Sequence, residues 1–357
     1  MKKAITIILS VIAALVLTTV AFAEDSKVTI YNPRAEDNFE LYVKGSTGYA
    51  LVDMSVKASD NGKAVSTIPA GQMFTILAEG ADFQVRFADG STGWVNKTYT
   101  MVNLPDVLPS IRYNATNSYD SLYRSNGKAL NLTGTSLYTG KTMNAKLRYE
   151  EFNMPVLYTM AKKIAFAQAT ALSEGYTLVL YEGFRPRAVQ EAVNVDLQAL
   201  MDNDASVKRA ITKNGWGKSW FIASSVSNHQ KGFAIDVSLA KIEETSTIAI
   251  DGRSIIIPSK YTELEMPTTM HELSPAAASL AYGVNSKSDS AWRSVPLAGT
   301  MTDGAKQLQA YCVAAGMSPL ASEWWHFNDL QARSETNAAG SGRFYINGNV
   351  SFSLSAN

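Results

Sequence analysis

"SNHQKGFAIDVSL", residues Ser227–Leu239, decides how the larger part of this chain is read. It holds one of only three histidines in the sequence, His229, seven positions before Asp236, with Gly232 between them. From Phe233 onward the pattern is that of a strand. Phe233, Ile235, Val237 and Leu239 fall on one face, and Ala234, Asp236 and Ser238 on the other. A carboxylate on so apolar a strand is costly to bury unless a cation or several donors meet it. His229 arrives from the loop before the strand, and Gly232 lets the chain turn back towards it.

Far downstream, "EWWH" supplies Glu323 and His326. Two histidines and an aspartate are ligands suited to Zn²⁺, and three protein ligands leave a fourth tetrahedral position open, the catalytic rather than the structural pattern. Glu323, three residues before His326, can reach the open side and take a proton from water there. The bland alternatives are a hydrogen-bonded His–Asp pair and an aromatic packing cluster.

Working outward, the 357 residues are 46% hydrophobic and 18% charged, enough for a real core and two domains. Basic and acidic residues balance at 32 each, which gives no sign of a nucleic-acid partner. Lys2 and Lys3 precede an apolar run and Ala21-Phe22-Ala23, so residues 1–23 are expected to be an export signal, with an uncleaved anchor as the alternative. No later run is long enough to cross a bilayer, so no membrane partner is expected after cleavage. Cys312 stands alone, cannot form an internal disulfide, and falls at an apolar helical position.

From about Val28 to Val102 the chain reads as all-β: "GYALVDMSVKAS", "MFTILAEG" and "FQVRFADG" alternate and are separated by turn residues. "NLPDVLPS", Asn103–Ser110, carries two prolines and reads as a linker spanning 104–110. Residues 111–357 mix long helices with short strands. "EEFNMPVLYTMAKKIAFAQATALSEG" is helical up to Gly175, "YTLVLYEGF" is a strand, "RPRAVQEAVNVDLQALM" opens a helix with Pro186 in its first turn, and a last helix runs from about Asp303 to Ala315. The expected class is α+β, preceded by a small all-β domain.

The motifs resemble those of a known family. "SNHQKGFAIDVSL" is similar to the S-x-H-x-x-G-x-A-x-D pattern of zinc D-Ala-D-Ala peptidases, and "EWWH" to their E-x-W-H signature. "YEGFRPRAVQ" and "IRYNATNSYD" resemble segments of the VanX-type D-alanyl-D-alanine dipeptidases, and the four motifs occur in family order across about Leu108 to Asn328. "STGWVNKTY" and its preceding hairpin resemble bacterial SH3-like domains over about Gly45 to Asn103, the core of a domain expected at 24–103. The resemblance implies a mixed or antiparallel sheet flanked by helices, after an SH3-like barrel. It implies one zinc per chain on His229, Asp236 and His326, with Glu323 as general base and Arg185 stabilising the oxyanion. Ser227 would meet the substrate carboxylate, and Tyr113 would line the pocket.

One departure bears on specificity. Where those dipeptidases read "GTPFDEF", with an aspartate for the substrate ammonium, this chain reads "MPTTMHELS", with His271 and Glu272 as the substrate-binding candidates. The expected activity is therefore an exported zinc D-Ala-D-Ala dipeptidase acting in the cell envelope or outside it. A D,D-carboxypeptidase trimming peptidoglycan stem peptides is the close alternative. An inactive wall-binding protein is the alternative of another class. The expected partners are D-Ala-D-Ala or a stem peptide, and the cell wall through the SH3-like part. Neither a G-x-S-x-G elbow nor an S-x-x-K set stands out near a plausible partner, which disfavours a serine mechanism.

Overall fold

Between Thr47 and Asn103 the alternating runs form seven short antiparallel strands: β1 (Thr47–Ala50), β2 (Met54–Lys57), β3 (Ala64–Ile68), β4 (Met73–Glu79), β5 (Phe83–Arg86), β6 (Thr92–Val95) and β7 (Thr100–Asn103). Their inward residues, among them Phe74, Ile76, Phe83, Val85 and Val95, are buried. The computed structural model describes residues 40–114 and 120–346. The expected export signal lies outside the described residues, and among these no helix is long and apolar enough to cross a membrane.

The segment read as a linker behaves differently from an exposed connection. Leu104–Val107 forms a one-turn helix, α1, with Pro105 in its first turn, and every residue from Leu104 to Ser110 is buried. The physical reason is pairing and packing across it. After β8 (Arg112–Tyr113) and two small hairpins, β9 (Arg124–Ser125) with β10 (Lys128–Ala129) and β11 (Thr142–Met143) with β12 (Glu150–Glu151), strand β13 (Pro155–Leu157) returns to pair antiparallel with β7. The N-terminal sheet thus has eight strands, in the order β13-β7-β1-β4-β5-β6-β2-β3. One apolar core runs from Tyr49 and Met101 through Leu157 to Phe233 and Trp325.

The remaining elements are α2 (Tyr158–Ser173), β14 (Tyr176–Glu182), α3 (Arg187–Asn203), α4 (Ala205–Ile211), α5 (Lys218–Phe221), β15 (Ala234–Ile250), β16 (Arg253–Glu263), α6 (Asp303–Ala314), β17 (Ser318–Leu320), β18 (Glu323–Asn328) and α7 (Leu330–Glu335). The expected helix before Gly175 yields its first residues to β13, because Pro155 lacks the N–H that a helix interior would need. Pro186 stands at the N-cap of α3, one residue before the first turn in which it was expected. The second sheet has the order β17-β18-β15-β14-β8, with β16 also on β15, and mixes antiparallel pairs with a parallel β14–β8 pair. All residues from Ala234 to Ala240 are buried, so both faces of β15 are covered at its start. Cys312 is fully buried between α6 and the core, and burial pushes its thiol up.

Candidate metal centre

The sheet sets a row of polar side chains across three neighbouring strands. Glu182 on β14 lies opposite Asp236 on β15, which lies opposite His326 on β18. His229 joins them from a short 3-10 turn, His229–Lys231, closed by Gly232 at φ +71°. A Cβ at Gly232 would sit 2.9 Å from Met101 Sδ and 3.1 Å from the Leu157 amide nitrogen, so glycine is required for both its angle and its closeness. Glu323 and His326 are three apart and would face opposite ways on a regular strand. Here one step on β17, from Pro319 to Leu320, spans four residues of β18, from Phe327 to Glu323, and this irregularity brings both side chains to one site.

Three atoms converge. His229 Nε2 is 3.1 Å from His326 Nδ1 and 3.2 Å from Asp236 Oδ1, and His326 Nδ1 is 3.0 Å from Asp236 Oδ1. The other ring nitrogens fix the tautomers. His229 Nδ1–H donates to the Gly183 carbonyl at 2.8 Å, and His326 Nε2–H donates to Asn328 Oδ1 at 3.0 Å, which Asn228 Nδ2 also reaches at 2.7 Å. Two nitrogen lone pairs and a carboxylate oxygen therefore face one another, and only a proton or a cation makes that arrangement stable. Bonds of about 2.0–2.1 Å to a tetrahedral zinc ion would set its ligand atoms about 3.3 Å apart, close to the distances found. The donor set fits the metal, and the outward hydrogen bonds are those that orient ligating imidazoles.

The second oxygen of Asp236 is also held. Arg185 Nη2 donates to Oδ2 at 3.0 Å and His271 Nε2 at 2.9 Å. Arg185 in turn grips Glu182 through Nε at 2.9 Å and through Nη2, and Gln190 Oε1 through Nη1 at 2.9 Å. Glu182, Asp236 and His271 also cluster as metal ligands would, but the Arg185 guanidinium already supplies the positive charge there. Burial alone would raise the Asp236 carboxyl, yet the three histidines around it, His229 foremost, hold it well below the usual range. Burial lowers His229, which suits a neutral ligand, whereas Asp236 and Glu323 raise His326 against the effect of burial. Burial pushes Glu323 up to about 8, although His326 and Arg185 oppose the shift.

An open cleft of about 240 Å³ lies over this centre, walled in part by Arg185, Ser227, His229, Glu323, His326 and Asn328. Glu323 Oε2 stands 3.6 Å from His326 Nδ1. Ser227 Oγ is buried and has no hydrogen-bond partner among the described residues. Three expected substrate contacts are placed elsewhere. The Tyr113 hydroxyl donates to the Leu108 carbonyl at 3.0 Å, within the core. Glu272 accepts from the amides of Asn126 and Gly127 and caps the β9–β10 turn. His271 is 1% exposed and stacked on Tyr123, with ring centroids 4.3 Å apart, so it stands behind Asp236 rather than in the cleft. Sequence reasoning missed Glu182, although a carboxylate ending the apolar run "YTLVLY" is the same signal that marked Asp236.

Comparison with known proteins places the chain in a family. A relative, the D-alanyl-D-alanine dipeptidase of Enterococcus faecium, is 26% identical over 121 residues, 32% of this chain and 56% of the relative. The chain thus spans about half the length of the curated relative it matches. The M15 peptidase family, described as D-Ala-D-Ala dipeptidase, matches residues 138–340, which include the strand row, the His229 turn and Glu323, and on that match over more than half its length the chain belongs to this family.

Proposed function

We propose that this chain is a zinc-dependent peptidase that hydrolyses the D-Ala-D-Ala bond, with His229, Asp236 and His326 holding one metal ion. The observation that carries this reading is the inward-facing triangle of two ring nitrogens and a carboxylate oxygen, with every outward ring N–H already engaged. When bound, zinc supplies Lewis acidity and makes water acidic enough to attack a carbonyl near neutral pH. Glu323 takes the proton from the attacking water and passes it to the leaving amine. Four of the five N–H bonds of Arg185 are engaged, so it chiefly orients Asp236, and one Nη1 N–H remains for the developing oxyanion. Ser227 lines the cleft, and its Oγ, buried and without a partner among the described residues, is the group we assign to the substrate carboxylate.

The purified chain is expected to carry one equivalent of zinc and to release D-alanine from a D-Ala-D-Ala peptide. Bound metal without any such hydrolysis would favour a wall-binding protein with an idle site. The free dipeptide is the nominal substrate on the family match. A second reading, D,D-carboxypeptidase action on longer peptides, is supported by the charges of the cleft. Among the described residues lining it, Glu323 is the only carboxylate, so none is left to pair with a free ammonium, and Lys287 adds a cation. Turnover that survives N-acetylation of D-Ala-D-Ala selects this second reading, and turnover abolished by it selects the dipeptidase.

Residues 45–103 we read as an SH3-like module that holds an exported enzyme at peptidoglycan, which raises the local concentration of polymer-bound substrate. The full chain is expected to pellet with insoluble peptidoglycan, and a chain that stays in the supernatant rejects the tethering.

A further inference from the structure

Beside the catalytic cleft lies a second one of about 340 Å³, and the two share Gln190, Ala223, Ser225 and Val226 in their walls. They meet where Gln190 Nε2 donates to the Ala223 carbonyl at 2.9 Å, while Gln190 Oε1 accepts from Arg185 Nη1 at 2.9 Å. One side chain therefore joins the wall of the second cleft to the charge network under Asp236. The charged residues of the second cleft are Arg187, Glu191 and Arg343. Arg187 is paired with Glu191 one turn along α3. Among the described residues no ion pair or hydrogen bond engages the Arg343 guanidinium, and the residue is exposed.

Its backbone is nevertheless anchored on both sides. The Gly342 carbonyl accepts from Gln230 Nε2 at 3.2 Å, and Gln230 follows the ligand His229 directly in sequence. Phe344 stacks on Phe184 with centroids 5.2 Å apart. The fold thus holds at the cleft a cation that no described residue engages.

We propose that the second cleft is a subsite for the part of a peptide substrate beyond the scissile pair, and that Arg343 reads a carboxylate carried there. The substrate class is then an acidic peptide longer than a dipeptide. This rests on the peptidase reading above for the reaction, but not for the binding.

The test compares two N-acetylated tetrapeptides ending in D-Ala-D-Ala, one with glutamate and one with glutamine at its first position. Both direct binding and kcat/KM are measured on the metal-loaded full chain. A partly solvated charge pair is worth up to about 1 kcal/mol, so the acidic peptide should be preferred by up to about fivefold at low salt. The preference should shrink as salt rises, fall to about one in Arg343→Glu, and persist in Arg343→Lys. Equal treatment of the two peptides by the unmodified chain overturns the subsite, as does a preference that survives Arg343→Glu. Preferential binding without turnover keeps the subsite and removes the peptidase reading. Turnover without preference does the reverse.

Discussion

Glu323→Gln is expected to keep the fold and the bound metal and to lower kcat by about 10² to 10⁴. The glutamine is close in size, and none of the three converging ligand atoms belongs to Glu323. Nor does the fold need its charge. The residue is 8% exposed, and burial disfavours the carboxylate enough to push its carboxyl up to about 8. A neutral amide there costs less desolvation than the anion, so thermal stability should hold or rise. A dication beside it would draw the carboxyl back down, so the loaded protein keeps a base at neutral pH. What the amide cannot do is accept a proton from water. The measurement pairs metal content with kcat on a D-Ala-D-Ala peptide. Near-normal turnover with full metal would remove Glu323 from the reaction.

The sequence made some of this legible, for reasons visible in particular residues. His229 and Asp236 lie seven apart with a glycine between, so a single turn brings them together and local spacing carries the signal. Glu323 and His326 were legible as neighbours, but not the strand irregularity that aims both the same way, which depends on where β17 pairs. His271 is 35 residues from the Asp236 oxygen it holds, with the long β15–β16 hairpin between, and no local pattern reports such a contact. Its position suggested the cleft, whereas its stacking on Tyr123 fixes it behind the strand row. The prolines of "NLPDVLPS" suggested a linker. Leu104, Val107 and Leu108, however, recur at helical spacing, and Pro105 in a first turn costs no hydrogen bond, so the segment buries as a helix. Tyr113 was marked by a motif, yet its pairing on β8 beside β14 puts it in the core.

Asp236→Ala is expected to abolish stoichiometric metal binding and to destabilise the fold more than any other single change at the site. Asp236 is fully buried and faces four partners. Its Oδ1 meets His229 and His326, and its Oδ2 accepts from Arg185 and His271. Removing it takes away one metal ligand and leaves two buried N–H donors, one from Arg185 and one from His271, without their acceptor, a loss of about 1–3 kcal/mol for each. The effect should depend on pH with a definite sign. The folded-state carboxyl is held well below its ordinary value, so its contribution is present above the unfolded value and is lost as pH falls through the folded one. The gap in thermal midpoint between Asp236→Ala and the unmodified chain should therefore be wide at neutral pH and narrow in strong acid. His271→Ala grades the same argument. It removes one donor to Oδ2 but no ligand, so metal affinity should fall by about 10- to 100-fold while binding persists. Chelator competition reads both variants. Stoichiometric zinc retained by Asp236→Ala would mean that the metal sits elsewhere, and affinity unchanged in His271→Ala would mean that Arg185 alone holds the aspartate in place.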